Sequence, residues 1–313
     1  MKRAAETANA IRQEGAGVVA PDKAALSLRF WGVRGSIPVS DRDMVDYGGN
    51  TPCIEVRAGN HLFVIDAGSG IAPLGRLLRD TGVKKVDLLL SHLHHDHVMG
   101  LFFFKPFYDK DAEVTIYCGN LNGETAEAPL RRLFSPPLFP ITFDELPAKI
   151  RFVGFKAGET LRFPDGLTVK THLLEHPSGS TAYRFEHGGR AVAVVTDVEH
   201  RNPGPCHALA DFIRGADSIV YDAMLCPQDY PSCRGWGHST PGEGVTLCKE
   251  AGVPQMICFH HHPAYNDGKL HELDRLVDKM MPGSFLAKEG QTVIFDRREE
   301  TVRAVGEKAE ALS

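Results

Sequence analysis

Ser91-His92-Leu93-His94-His95-Asp96-His97 decides how this chain is read. Val86 to Leu90, just before it, is a short unbroken apolar run, the pattern of a strand buried on both faces. Four side chains with lone pairs for a metal, His92, His94, Asp96 and His97, therefore leave the end of one rigid element and converge in the loop that follows. Random placement at this chain's His and Asp frequencies gives such a hexapeptide in only about a few sequences per thousand, so a solvated His-rich loop is the poorer account.

Outward from that cluster, further metal-ligating residue types stand at the ends of strand-like runs. These are Asp66 in Ile65-Asp66-Ala67-Gly68, His176 in Glu175-His176-Pro177 and Asp197 in Val195-Thr196-Asp197. The run Phe259-His260-His261-His262-Pro263 offers three imidazoles. His260 follows the strand directly and is assigned to the site, while His261 and His262 are left to a solvated loop or a supporting role.

The same patterning lays out the rest of the chain. Strands are predicted at 26–31, 53–57, 62–65, 86–90, 114–117, 167–174, 182–185, 191–195, 218–221 and 255–259. Helices are predicted at 71–79, 128–134, 207–214, 243–251 and 270–281. Strands in clusters with helices after each cluster imply an α/β protein of two sheets sandwiched between helical layers. Residues 119–147, with Pro129, Pro136, Pro137, Pro140 and Pro147, read as an inserted cap or lid, and Leu133, Phe134, Leu138, Phe139 and Phe143 as lid, dimer-contact or core residues.

With 313 residues, 42% hydrophobic and 24% charged, the chain has enough apolar surface for a large core, and one domain over 26–313 is the simplest division. A formal charge of −5 gives no basic field for gripping a long polyanion, so no stable nucleic-acid partner is expected. Seven Cys without paired C-x-x-C spacing fit reduced thiols in the cytoplasm. Residues 1–25 carry charges and no apolar run of signal-peptide length, so they read as a loose or helical extension and no membrane association is expected.

These motifs resemble the metallo-β-lactamase superfamily, and within it the ribonuclease Z-like phosphodiesterase branch, over most of residues 26–296. The resemblance implies a four-layer αββα sandwich. It also implies two divalent ions, one on His92, His94 and His176, the other on Asp96, His97 and His260, with Asp197 bridging and Asp66 orienting ligands from behind. Gly235-Trp236-Gly237-His238-Ser239-Thr240 resembles the His-Ser-Thr motif that this branch sets beside a substrate phosphate. Tyr221-Asp222-Ala223 resembles its acidic partner motif. Ribonuclease Z has Glu where this chain has Asp222, and the shorter side chain is expected to need a backbone shift or a water to reach His238. A plainer reading makes His238 a residue leading into a helix capped by Ser239 or Thr240.

The function implied is hydrolysis of a small phosphodiester, a cyclic nucleotide or related cyclic phosphate. The branch includes enzymes that open phosphoribosyl cyclic phosphate and the anti-Pycsar phosphodiesterases. Zinc is the expected metal, with manganese or iron as alternatives, and two such ions lower the pKa of a shared water from about 15.7 toward 7, giving hydroxide as nucleophile. His238 and Asp222, with Asp96, form the catalytic set. Asn50 in Tyr47-Gly48-Gly49-Asn50-Thr51 and Arg34 in Gly32-Val33-Arg34-Gly35 are candidate phosphate contacts, although both stretches also read as plain turns. A homodimer is expected by resemblance. A transfer-RNA 3′-processing nuclease, a thioester or lactone hydrolase and a non-catalytic nucleotide sensor are the competing readings.

Overall fold

Strands buried on both faces dominate the chain, and their period-two alternation distributes side chains among separate cores. The computed structural model describes residues 11–14, 24–200 and 206–296. In chain order come β1 (Ile11–Glu14), β2 (Ala24–Gly32), β3 (Cys53–Ala58), β4 (His61–Ile65), α1 (Ile71–Asp80), β5 (Lys85–Leu90), the one-turn α2 (His95–Val98), β6 (Glu113–Cys118), α3 (Glu127–Leu133) and β7 (Lys149–Gly154). They are followed by β8 (Thr160–Arg162), β9 (Thr168–Leu174), β10 (Ser180–His187), β11 (Arg190–Val195), α4 (His207–Ile213), β12 (Ser218–Asp222), α5 (Tyr230–Cys233), α6 (Pro241–Ala251), β13 (Met256–Phe259), α7 (Asp267–Met280), β14 (Phe285–Leu286) and β15 (Thr292–Asp296).

Two mixed sheets result, ordered β1-β15-β2-β3-β4-β5-β6-β7 and β14-β13-β12-β11-β10-β9-β8. Along β11, Val192 and Val194 face the core between the sheets, whereas Ala191, Ala193 and Val195 face α4, α6 and α7. β5 behaves likewise, with Leu89 inward and Val86, Leu88 and Leu90 toward α1. In α1 the buried residues Ile71, Leu74, Gly75 and Leu78 recur at helical spacing and make its core-facing stripe. The four-layer α/β architecture is therefore the one the sequence implies.

Two expectations need correction. Within 1–25, residues 11–14 form a strand paired antiparallel with β15, neither loose nor helical; the rest of that stretch up to residue 23 lies outside the described residues. Residues 119–147 do not form a lid. Leu130, Phe134, Phe143 and Leu146 are buried in the core on the outer face of the first sheet, Leu133 and Phe139 pack against it, and Leu138 is exposed. Their apolar content serves the outer layer because that face of the sheet must be covered. No helix among the described residues is long and apolar enough to cross a membrane.

β4 runs parallel to β5, and β11, β12 and β13 run parallel to one another. β9 shares their direction, since it is antiparallel to β10 and β10 to β11. The carboxyl ends of β4, β5, β9, β11, β12 and β13 thus deliver Asp66, residues 92–97, His176, Asp197, Asp222 and His260.

Candidate metal centre

Three of these residues leave their strands in a backbone conformation that L-residues seldom adopt: φ is 61° at Asp66, 59° at Asp197 and 62° at His260. A left-handed residue turns the chain abruptly at the strand end and aims the side chain back across the edge of the sheet. Asp and His tolerate this conformation better than β-branched residues do, which fits the residue types found here.

The donors gather as the sequence implies. His92, His94 and His176 form one group with ligating atoms within 4.8 Å of one another, and Asp96, His97 and His260 form a second. Asp197 lies between them. Its Oδ1 is 3.9 Å from His92 Nε2, 3.8 Å from His176 Nε2 and 3.3 Å from His260 Nε2, and its Oδ2 is 3.4 Å from His97 Nε2. His94 Nδ1 and His176 Nε2 face each other at 3.1 Å.

Hydrogen bonds behind the ring set their tautomers. Asp66 Oδ2 accepts from His97 Nδ1 at 2.8 Å, and although burial opposes the charge, Asp197, Asp96 and Asp66 push the His97 pKa well up. Asp66 Oδ1 also accepts from the Ser91 amide at 2.7 Å. The Ser91 hydroxyl bonds to Asp66 (2.8 Å to Oδ2) and stands 3.0 Å from His92 Nδ1, completing a Ser91–Asp66 relay under both His residues. Gly237 O accepts from His176 Nδ1 at 2.8 Å. Ser36 N donates to Asp96 Oδ2 at 2.7 Å, and at Gly35 a Cβ would lie 2.4 Å from the His260 ring. The loop after β2 is thereby pressed onto the centre.

Protonation follows this arrangement. Burial pushes the pKa of His92 well down, and burial also lowers His94 and His176, so all three are neutral bases. Burial works against ionisation of Asp96, yet His97 and His260 outweigh it and hold the carboxyl below its ordinary range. Asp197 is likewise held far down, burial being overcome by His260, His97 and His92.

His238 lies beside this centre, and the contact with Asp222 is direct, with no room for a bridging water: Nδ1 is 2.8 Å from Asp222 Oδ2. Amides of Val198 and Met224 donate to the same carboxylate at 3.2 and 3.1 Å. Burial opposes the charge on His238, but Asp222 foremost, then Asp197 and Asp96, push its pKa up to about 9. The helix-leading role coexists with this one, for Thr240 caps α6 while the Ser239 hydroxyl donates to Val198 O.

Arg34 and Asn50 are engaged by the chain's own loops. Arg34 is fully buried, and its guanidinium donates to Gly48 O at 2.8 Å and Tyr265 O at 2.6 Å. Asn50 Nδ2 donates to Glu289 Oε2 at 3.0 Å, and its Oδ1 accepts from Ser69 at 2.9 Å. Both side chains bind loops together, as plain turn residues would. His261 is buried rather than solvated, with Nε2 2.8 Å from Ala287 O, and His262 stacks on Tyr265.

A metal fits these residues for a specific reason. His92 Nε2 and His97 Nε2 are buried without any hydrogen-bond partner, an arrangement that is costly unless something else engages them. Both nitrogens point into groups of His and carboxylate donors of the kind that hold divalent ions.

Comparison with known proteins agrees with the fold. Residues 61–261 match the model of the beta-lactamase superfamily domain. The chain belongs to the metallo-β-lactamase superfamily and is a metal-dependent hydrolase of that class. Ribonuclease Z of Archaeoglobus fulgidus is 24% identical over 290 residues, covering 77% of this chain and 89% of that one. The metallo-β-lactamase fold protein YhfI of Bacillus subtilis superposes with a TM-score of 0.64 at 19% identity, covering 86% of this chain and 99% of its own. A diphosphatase of the PhnP family gives 0.62 at 19%, covering 88% and 100%.

Proposed function

We propose that this chain hydrolyses a small phosphodiester, a cyclic nucleotide or a related cyclic phosphate. The observation that carries the reading is His238, bonded to Asp222, 4.0 Å from Asp197 Oδ1 and stacked on His260 at 4.9 Å between ring centres. A thioester or lactone hydrolase has no evident need for an imidazole so held, whereas a phosphate oxygen beside the centre would be met by it.

His92, His94 and His176 would hold one divalent ion and Asp96, His97 and His260 a second, with Asp197 touching both. Zinc suits these donors first, as manganese and iron also do. Such ions, when bound, supply an activated water at neutral pH and offset charge on phosphate oxygens. The remaining work falls to the chain's own residues. Asp222 accepts the Nδ1 proton and fixes the ring, leaving Nε2 for the substrate. As imidazolium, His238 donates to a phosphate oxygen, or passes that proton to the departing alkoxide and becomes neutral.

A transfer-RNA 3′-end nuclease is the second reading, favoured by the likeness to ribonuclease Z. Against it, Arg131 and Arg132 are the only basic residues in 119–147, and Arg131 is already bonded to Glu127 at 3.0 Å and Asp144 at 2.9 Å. An RNA-binding arm wants free positive charge. The proposal also includes a cytoplasmic homodimer without a stable nucleic-acid partner, which light scattering after gel filtration checks.

The deciding experiment incubates metal-loaded protein with 2′,3′- and 3′,5′-cyclic nucleotides and follows products by mass spectrometry, with His238→Ala in parallel. Linear nucleotide that disappears in the variant, at unchanged metal content, is expected. No turnover of any member, or loss of metal in the variant, overturns the assignment.

A further inference from the structure

A further buried carboxylate, besides Asp66 and Asp222, stands beside the centre and outside both donor groups. Glu199 is 2% exposed and two residues beyond Asp197. Its Oε1 accepts from Gly235 N at 2.7 Å and the Tyr230 hydroxyl at 3.3 Å, and its Oε2 accepts from Gly237 N at 2.9 Å. Its own amide donates to Glu175 O at 2.9 Å, immediately before His176.

These bonds close a ring around one metal ligand. From Glu199 N the path runs to Glu175, through the peptide to His176, from His176 Nδ1 to Gly237 O, and from Gly237 N back to Glu199 Oε2. Gly235 and Gly237 have φ of 91° and 90°, so the 235–237 segment arches with its end amides directed at the carboxylate. A Cβ at Gly237 would lie 2.3 Å from His176 Nδ1, so the arch sits against the imidazole. The next residue is His238. A charged acceptor binding two backbone amides is the strong kind of hydrogen-bonding group, and it holds the arch where an uncharged side chain would hold it less firmly.

We infer that Glu199 is a positioning residue that locks His176 and His238 into one rigid piece, so that loading of the His92–His94–His176 ion and placement of His238 depend on the same carboxylate. The first half rests on the metal centre alone; the second rests on the proposed function.

The test titrates Zn2+ into the metal-stripped full chain against a chromophoric chelator, for wild type, Glu199→Ala, Glu199→Gln and His176→Ala, with circular dichroism to verify folding. Glu199→Ala is expected to weaken, by about 10- to 100-fold, the same one of two binding steps that His176→Ala abolishes. The other step should keep its wild-type affinity, and Glu199→Gln, which retains one acceptor oxygen, should fall between. At saturating zinc, kcat on a cyclic nucleotide should drop with KM little changed. Wild-type affinity at both steps in folded Glu199→Ala, or equal weakening of both, overturns the inference; if the Ala variant does not fold, the Gln titration decides. Wild-type inactivity on cyclic nucleotides would defeat the proposed substrate and leave the metal result standing.

Discussion

The donor residues of the candidate centre were legible one by one because their chemistry is written in their type and in their place at strand ends. Their supports were not. Ser91 stands between an apolar run and the cluster, and only the folded chain shows its hydroxyl between Asp66 and His92. The one available signal was that a hydroxyl at the end of a buried strand must find a partner. Arg34 misled in the opposite sense, for a cation among glycines looks the same whether it meets a phosphate or backbone carbonyls. Those carbonyls make a prediction. Arg34→Met should lower stability by about 1–3 kcal/mol for each carbonyl left buried and unpaired, while kcat/KM per folded molecule stays within a factor of two or so of wild type. Urea titration and initial rates measure the two, and a large loss of kcat/KM at full folding would restore Arg34 to the substrate.

At the scale of the element, long strands with clean alternation and the amphipathic helices were found to within a few residues. β1, β7, β8, β14 and β15 were missed. β7 reads Lys-Ile-Arg-Phe-Val-Gly, an edge strand whose exposed face carries charge, and β14 has two residues, too short for any period. Burial inside elements also fixes thiol chemistry. Burial pushes Cys118 of β6 and Cys248 of α6 up to about 12, while Cys206, just before α4, is exposed. Native protein at pH 8 should therefore titrate one fast thiol with a disulfide reagent, and Cys206→Ser should abolish it. From pH 9 to about 12 the unfolded chain sheds thiol protons that the folded chain retains. Stability is thus intact below pH 9 and falls as pH rises, by up to about 1.4 kcal/mol per unit for each thiol. A flat unfolding free energy between pH 9 and 10.5 would contradict this.

For the whole molecule, the sequence announced two sheets between helical layers, yet not which face residues 119–147 cover, because an apolar segment shows that it will be buried and not where. The centre ties the two sheets together: Asp66 and residues 92–97 come from one, His176, Asp197, Asp222 and His260 from the other. Ions that bind only the folded arrangement stabilise it by mass action, by about 2.7 kcal/mol at a hundredfold excess over Kd. Chelation should accordingly lower the calorimetric melting temperature and added Zn2+ restore it; a melting temperature indifferent to both would mean that no ion clamps the sheets.

The left-handed backbone at Asp66, Asp197 and His260 has a consequence for how such a protein evolves. Each such residue gives up on the order of 1–3 kcal/mol relative to an unstrained one, and glycine would relieve it without disturbing the turn. Selection on stability alone would therefore drift these positions to glycine. That this chain carries Asp, Asp and His there, each among the donors or their supports, places a local conflict with foldability where the chemistry is gathered, a frustrated patch at the centre.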